Sequence, residues 1–316
     1  MVLVFAETWN GGFKKATFEA VQYGATCAQS LGSSCIAVVM GESQENLASL
    51  GAYGADEVVH IADSGAFEPN AFAGTLADLA EARSAQMIIV SGTANGRSLV
   101  GTLGMKANAA VITNVTSTPS NTSPLTVQRG AFSSKGVETC VSQSDRTVVS
   151  IVPNSIGTGS DDGADASVST AAASGTAKTQ VGASEVATGS IPLPEAERVV
   201  SGGRGLKGPE NWSMIEELAQ VLNAGTACSK PVSDIGWRPH SEHVGQTGIQ
   251  INPQLYIAVG ISGAIQHLAG VSASQTIVVI NNDPEAPFFK AADYGVVGDA
   301  FEVVPKLTEA LKKHFA

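Results

Sequence analysis

Polar residues able to bind a ligand collect in two stretches of the last third of the chain. Residues 241–248 read SEHVGQTG, and a second stretch combines Ser262 with Gln266 and His267. Hydroxyl, amide and imidazole groups hold and orient ligands, but these stretches contain no carboxylate pair, no Gly-x-Ser-x-Gly elbow and no Cys beside a His. The residue types therefore favour ligand binding over hydrolysis or acyl transfer.

A glycine motif precedes these stretches. Gly203, Gly205 and Gly208 have the G-x-G-x-x-G spacing and follow a strand-like run at 197–200. Glycines at such a place let a phosphate approach unpaired backbone N–H groups at a helix start. A dinucleotide-binding fingerprint also has an acidic residue about 20 positions after the glycines. Asp234 is a weak candidate for this residue, because it falls in a loop. Tight turns without a ligand stay the alternative for these glycines.

Metal binding is not favoured by the sequence. His240 and His243 stand three positions apart, but neither Cys nor acidic ligands follow at a matching spacing, so we expect a solvated loop. The cysteines show no CxxC pattern, and a reducing compartment is expected. They are Cys27, Cys35, Cys140 and Cys228.

Composition narrows the possible partners. The 316 residues include 29 acidic and 18 basic side chains, giving a formal net charge of −11. This balance argues against nucleic acid and anionic membrane surfaces as partners. Apolar runs such as residues 255–261 are far shorter than the ~20 residues that span a bilayer, so no membrane insertion is expected. The start shows no targeting pattern, so we expect either no leader or a leader already removed.

Two α/β domains are predicted. Short β-branched runs alternate with helical patterns through the first half, which indicates a mostly parallel sheet, and strands from Val111 onward should form hairpins at one edge. Residues 157–180, rich in Gly, Ser, Ala and Thr, are expected to form a flexible excursion. A proline-containing connector at 183–197 then places the domains at 1–190 and 191–316.

The second domain is predicted to repeat the order of strand, turn and helix. Strands at 197–200, 255–259 and 276–280 each run into a turn rich in Gly or Asn. Helices are expected from about Asn211, over 264–268 and from about Pro305. The stretch 241–248 reads as a polar loop before the strand at 255–259, and with Ser262, Gln266 and His267 it would supply hydroxyl, amide and imidazole groups near one ligand.

The second half resembles the electron-transfer flavoprotein alpha-subunit family in four segments: VVSGGRGLK at 199–207, VGQTG at 244–248, LYIAVGISGAIQHLAG at 255–270 and INNDPEAP at 280–287. The third segment, with Asn281 downstream, is the most specific. The close match covers residues 197–316. The first half resembles the family in pattern, through residues 1–7 and the segment around Arg97. The resemblance implies an N-terminal sheet like that of the adenine nucleotide alpha hydrolases and a C-terminal Rossmann-like FAD-binding domain.

The resemblance also implies a function, that of an electron carrier without its own organic substrate. Family members pair with a beta subunit that holds AMP, and they keep FAD mostly in the C-terminal domain of the alpha subunit. They accept electrons from acyl-CoA dehydrogenases and related dehydrogenases of fatty acid beta-oxidation, and pass them singly to the membrane-bound ETF-ubiquinone oxidoreductase. The implied location is the mitochondrial matrix in a eukaryote and the cytoplasm in a bacterium.

Site residues are implied by the same resemblance. It places the Thr247 hydroxyl near flavin N5, His267 near the pyrimidine carbonyl of the flavin, and Asn281 and Asp299 at the adenosine end. The full implied FAD-binding set is Arg204, Ser229, Lys230, Val244, Gly245, Gln246, Thr247, Ser262, Gly263, Ala264, Ile265, Gln266, His267, Asn281 and Asp299. No catalytic and no metal-binding residue is implied.

Lys230 departs from the family pattern, which usually has Arg after this serine, near the flavin ring. Lysine keeps the charge but lacks the planar guanidinium fork. We hypothesise that the negatively charged reduced flavin is less stabilised here than in relatives with Arg. The alternative is that Lys230 simply points to solvent.

Two other functions stay open at this point. A nicotinamide- or flavin-dependent dehydrogenase with a Rossmann-like C-terminal domain would need a general base near the cofactor. A structural or regulatory adenine-nucleotide domain would give a colourless protein.

Overall fold

A computed structural model describes residues 1–132, 135–159, 161, 163–182 and 192–315. The chain divides into two units, one of residues 1–131 with 137–185 and the other of residues 132–136 with 186–316. The boundary predicted between residues 190 and 191 lies outside the described residues.

The first unit is built on a mixed sheet with helices on both faces. Its helices are α1 (Lys15–Ser30), α2 (Pro69–Ala82) and α3 (Ala94–Lys106), and its strands are β1 (Val2–Phe5), β2 (Thr8–Trp9), β3 (Gly12–Phe13), β4 (Cys35–Met40), β5 (Glu57–Ile61), β6 (Met87–Ser91), β7 (Ala110–Val115), β8 (Asn121–Thr122), β9 (Leu125–Ala131), β10 (Gly136–Ser142), β11 (Thr147–Ile151) and β12 (Ser167–Thr170). The sheet order is β10-β9-β7-β11-β6-β1-β4-β5-β12, while β8 pairs with β9 and β2 with β3.

The parallel centre of this sheet explains its apolar strands. Strands β1, β4, β6 and β11 are buried along their whole length, which is typical of parallel strands covered on both faces. Alternate side chains of β1 enter opposite cores: Val4 packs in the same core as Val21 of α1, and Leu3 in the core that contains Leu76 of α2. Strand β9 runs antiparallel to β7 and β8, so the predicted hairpins at one edge are confirmed.

Residues 157–180 differ from the expected excursion. Part of this segment forms the edge strand β12, parallel to β5, and the Ser169 hydroxyl donates to Glu57 at 2.6 Å. Farther along, the N–H of Gly175 donates to the Thr75 hydroxyl of α2 at 2.9 Å. A side chain at Gly175 would collide with the carbonyl of Ala71. The small residues that suggested flexibility therefore allow close packing of this segment against α2.

A fully buried carboxylate lies near the carboxyl end of β11. Glu19 of α1 accepts the backbone N–H groups of Asn154 at 2.8 Å, Ile156 at 2.7 Å and Gly157 at 2.9 Å. Its exposed fraction is 0%. A buried carboxylate is tolerated only when donors satisfy its oxygens, so Glu19 and the loop after β11 stabilise each other.

A second buried carboxylate follows β1. Glu7 accepts the Thr93 hydroxyl at 2.5 Å and the Asn95 amide at 2.7 Å, both at the start of α3. Negative charge is favourable at this end of a helix. The chain thus places its own carboxylate where a doubly wound sheet usually receives a ligand.

The second unit is the predicted Rossmann-like sheet. Its strands are β13 (Arg198–Gly202), β14 (Gly225–Cys228), β15 (Leu255–Val259), β16 (Thr276–Asn281) and β17 (Tyr294–Val297), and its helices are α4 (Ser213–Leu222), α5 (Lys230–Asp234), α6 (Ile265–Val271) and α7 (Ala300–Phe315). The order is β14-β13-β15-β16-β17, with every neighbouring pair parallel. The chain leaves β13 toward β14 and later returns to the other side of β13 as β15, so the carboxyl ends of β13 and β15 form a switch point.

The last helix begins earlier than predicted. It was expected from about Pro305, because proline favours the first turn, but it starts at Ala300 and contains Pro305. The Asp299 carboxylate caps it by accepting the N–H of Phe301 at 2.9 Å. Among the described residues, no helix combines the length and the apolar character needed to cross a bilayer.

Candidate functional site

A cleft of about 570 Å³ lies outside the carboxyl ends of β13 and β15, at the switch point of the second sheet. Strand ends, the loop 244–248 and the start of α6 form its walls. Most of the predicted site residues line it together: Arg204, Ser229, Lys230, Val244, Gly245, Gln246, Thr247, Ser262, Ala264, Gln266, His267 and Asn281. The prediction that these residues gather around one ligand therefore has a matching cavity.

Three predicted residues lie outside the cleft lining. Gly263 is buried with φ of +80°, and a side chain there would collide with Phe288. Ile265 is 62% exposed. Asp299 caps α7, and its carboxylate lies 4.0 Å from the Lys207 ammonium. The roles of these three toward FAD stay predictions.

Other lining residues were not in the predicted set. Gly205, Pro231, His243, Gly260, Ile261, Asp283 and Ala286 contribute to the walls. The prediction of a solvated loop was wrong for His243, which is only 2% exposed. The N–H of Val244 donates to the carbonyl of Cys228 at 3.0 Å, so this segment runs beside the end of β14. That backbone pairing buries the histidine, and no local residue pattern reveals it.

The glycines of the G-x-G-x-x-G motif let two turns pack closely together, and their N–H groups are not available to a ligand. The N–H of Gly203 donates to the carbonyl of Val259 at 2.9 Å, and that of Gly205 donates to Gly260 at 3.1 Å. A side chain at Gly203 would collide with the carbonyl of Gly260. Because these N–H groups are paired and α4 begins only at Ser213, the motif does not present the phosphate-binding helix start of a dinucleotide fingerprint.

Unpaired donors are found instead before and at the start of α6. Within the described part of the chain, the N–H groups of residues 262–266 have no hydrogen-bond acceptor. The side chains of Arg204 and Lys230 line the same cleft and form no ion pair with any described residue. Backbone donors beside two cations favour an anionic ligand.

The floor of the cleft contains a buried imidazole. His267 is 6% exposed, its Nε2 lies 2.8 Å from the hydroxyl of Tyr256, and its Nδ1 has no partner among the described residues. Burial, together with nearby His243, lowers the pKa of His267 to about 4. Burial also raises the pKa of Tyr256. At neutral pH the pair is uncharged, with one imidazole nitrogen left for a ligand.

Two further contacts fix the cleft walls. The N–H of Gln246 donates to the carbonyl of Gln266 at 2.7 Å, which ties the loop 244–248 to α6. The Asn281 amide donates to the Ile261 carbonyl at 3.0 Å, and its oxygen accepts the N–H of Asp283 at 3.1 Å. Asn281 therefore joins the turns after β15 and β16.

Comparison with known proteins identifies the family. Residues 2–186 match the electron transfer flavoprotein domain, and residues 192–272 match the electron transfer flavoprotein FAD-binding domain. The chain is 36% identical over 316 residues to electron transfer flavoprotein subunit alpha of Syntrophomonas wolfei, with 98% of each chain covered. It is 35% identical over 319 residues to the Bacillus subtilis subunit alpha, covering 99% of this chain and 97% of the relative.

The chain belongs to the electron transfer flavoprotein alpha-subunit family. A shorter match, to the Paracoccus denitrificans subunit alpha, is 45% identical over 187 residues, covering 59% of this chain and 61% of the relative. The predicted family and the predicted cofactor, FAD, are confirmed.

The cleft of this electron transfer flavoprotein subunit fits a flavin dinucleotide in two ways. The free N–H groups of Ser262, Ala264 and Gln266, together with the guanidinium of Arg204, suit a pyrophosphate. The orphaned Nδ1 of buried His267 suits a polar ring edge. Among the described residues, no group of three His, Cys, Asp or Glu side chains is placed to hold a metal ion.

Proposed function

We propose that this chain is the alpha subunit of a heterodimeric electron carrier that holds FAD in the cleft of its second unit. The observation that carries the proposal is a set of unpaired N–H groups in the cleft lining, those of Ser262, Ala264 and Gln266. Arg204 and His267, whose Nδ1 has no partner among the described residues, line the same cleft. FAD supplies reversible electron transfer in single steps when it is bound. The chain's own residues bind it, orient it and adjust the charge around it.

The two ends of the cleft would hold different parts of FAD. Arg204 and the N–H groups of Ser262, Ala264 and Gln266 are suited to the pyrophosphate. Lys230, Thr247 and His267 surround the place that the family resemblance gives to the flavin ring. Negative charge develops on this ring during reduction, and an ammonium and polar donors beside the ring stabilise that charge. Electron transfer itself needs no general acid or base, so the lack of carboxylate pairs in the polar stretches agrees with this role.

The wider assignments rest on the family alone. We propose a beta subunit with bound AMP as the partner, acyl-CoA dehydrogenases as electron donors and ETF-ubiquinone oxidoreductase as the acceptor. The relatives described above are bacterial, which favours the cytoplasm over the mitochondrial matrix. We also expect weaker FAD retention when the chain is expressed without its beta subunit.

Reductive titration of the purified heterodimer tests the proposal. The protein should be yellow, contain FAD and take up electrons from dithionite in two separable one-electron steps. A colourless protein would overturn the proposal, and so would steady turnover of a nicotinamide cofactor with an organic substrate.

A matched pair of variants tests whether FAD binds in this cleft. Arg204→Ala should lower the affinity for FAD by about tenfold, the loss expected for one charge-assisted hydrogen bond. Lys207→Ala is the control, because the Lys207 side chain lies outside the cleft lining and is 68% exposed. Equal FAD affinity of the two variants would contradict the placement of the cofactor.

A further inference from the structure

Arg238 lies on the segment that leads from α5 into the wall of the cleft, and neither the family resemblance nor the predicted site set includes it. This segment, residues 236–242, is followed at once by residues that line the cleft. Among the described residues, its backbone forms hydrogen bonds only within the range 232–243. Its contacts with the rest of the second unit therefore depend on side chains, one of which is the partly buried ring of Trp237 in the apolar core.

The Arg238 guanidinium supplies polar contacts in two directions. Its Nε and Nη2 donate to the two carboxylate oxygens of Glu242 at 2.8 and 2.5 Å, and its Nη1 donates to Glu216 of α4 at 3.3 Å. The side chains of Arg238 and Glu242 are only 26% and 17% exposed. Because a bidentate pair fixes orientation as well as distance, Arg238 ties Glu242 to α4.

The Arg238 guanidinium also lies on a fixed platform. Its central carbon is 5.3 Å from the centre of the Trp212 ring, within the distance of a cation–π contact. Trp212 is 3% exposed and belongs to the apolar core. A Cβ built on Gly202 would be 2.6 Å from this ring, so the ring packs directly against the end of β13. Arg238 thus connects the segment to a buried side chain that contacts a strand of the switch point.

The loop that lines the cleft begins two positions after Glu242 and is itself held by backbone hydrogen bonds. The N–H of Val244 donates to the carbonyl of Cys228 at 3.0 Å, and the N–H of Gln246 donates to Gln266 at 2.7 Å. Since a single residue separates Glu242 from Val244, a displacement of Glu242 acts on both hydrogen bonds. The position of this cleft wall therefore depends on where Glu242 is held.

We propose that Arg238 is a positioning residue of the cleft, which joins Glu242 to α4 and thereby holds the loop 244–248 in the place that FAD binding requires. The inference rests on the proposed function, because it needs FAD in the cleft. When the bidentate pair is removed, the loop becomes more mobile, and binding then includes the cost of ordering it.

FAD titration of the flavin-free heterodimer tests the inference with a matched pair of arginine variants. Arg238→Met keeps an unbranched side chain but removes the polar contacts, and it should weaken FAD binding roughly five- to tenfold. Arg238→Lys keeps the charge without the bidentate geometry and should bind FAD with an affinity between those of Arg238→Met and the wild type.

The control is Arg198→Met, which removes the same charge from the second unit. Arg198 is the first residue of β13, lies outside the cleft lining and donates to the carbonyl of Leu222 at 2.9 Å. The affinity of this variant for FAD should stay within about twofold of the wild type, because the lost charge is distant and screened. Equal FAD affinities of Arg238→Met and Arg198→Met would overturn the inference.

Hydrogen exchange of the flavin-free protein separates positioning from general stability. In Arg238→Met, the amides of Val244 and Gln246 should exchange at least about fivefold faster than in the wild type, while the amides of β15 keep their wild-type rates. Unchanged exchange at these two residues would overturn the inference, and so would faster exchange spread over the whole second unit. If Arg238→Met does not fold, the same amides in Arg238→Lys decide the matter, since the loss of the bidentate geometry should still speed their exchange. Failure of the wild type to bind FAD would instead refute the proposed function.

Discussion

Replacement of His267 by glutamine should remove a large part of the acid sensitivity of the flavin-free second unit. The imidazole has a pKa of about 4 in the fold, against an ordinary value of 6.5, chiefly because it is buried. Between these values the unfolded chain binds a proton that the folded chain does not. Stability therefore falls as the pH falls from about 6.5, and the loss is complete below about pH 4.

The size of the effect follows from the two pKa values. Their difference corresponds to about 3 kcal/mol when the loss is complete, at 1.36 kcal/mol for each pH unit. Between pH 7 and pH 5 the same relation gives about 2 kcal/mol. Glutamine has no such titration and can still pair with the Tyr256 hydroxyl, so it removes the pH effect at a small structural cost.

Urea unfolding at several pH values measures this difference. Between pH 7 and pH 5, the wild type should lose about 2 kcal/mol more unfolding free energy than His267→Gln. His240→Gln, with an exposed histidine replaced, should follow the wild type. Flavin-free protein is needed, because bound FAD adds its own stabilisation. Parallel losses in the wild type and His267→Gln, or an imidazole that titrates near 6.5 by NMR, would refute the reasoning.

Three further predictions concern separate parts of the chain. Gly203→Ala should destabilise the second unit by about 1–3 kcal/mol in urea unfolding, because its Cβ meets the carbonyl of Gly260; a neutral result would contradict that packing. Glu19→Ala should cost about 3 kcal/mol or more, since three backbone donors lose their acceptor, and Glu19→Gln should cost less. Lys230→Arg should make the first reduction potential of bound FAD more positive in potentiometry, and an unchanged potential would argue that Lys230 faces solvent.

The central strands could be predicted because each is a continuous apolar run that ends in a turn signal. Strand β15 lies where the sequence predicted it, at Leu255–Val259. Strand β17, Tyr294–Val297, was missed because it is exposed along its whole length and carries no burial pattern. Strand β14, Gly225–Cys228, is short and begins with a glycine, so its sequence resembles a turn.

The sequence could predict that most of the site residues lie around one cleft, but not which backbone N–H groups of the cleft stay unpaired. Polar residues that follow parallel strands converge at one edge, so Ser262, His267 and Asn281 could be expected there. Which N–H groups stay free depends on pairing between turns that are distant in sequence. Such pairing occupies the N–H of Gly203 and buries His243. No residue pattern near either position predicts this outcome.

The two sheets differ in whether the backbone N–H donors near the carboxyl ends of their strands are paired. Parallel strands direct backbone N–H groups and helix starts toward their carboxyl ends, which attracts negative charge. In the first unit, the carboxylates of Glu7 and Glu19 accept hydrogen bonds at this edge from the start of α3 and from the loop after β11. In the second unit, the N–H groups of residues 262–266 have no acceptor among the described residues. An anionic dinucleotide would meet donors already occupied by side chains of the chain in the first unit and free donors in the second, which favours the second unit as the place for FAD.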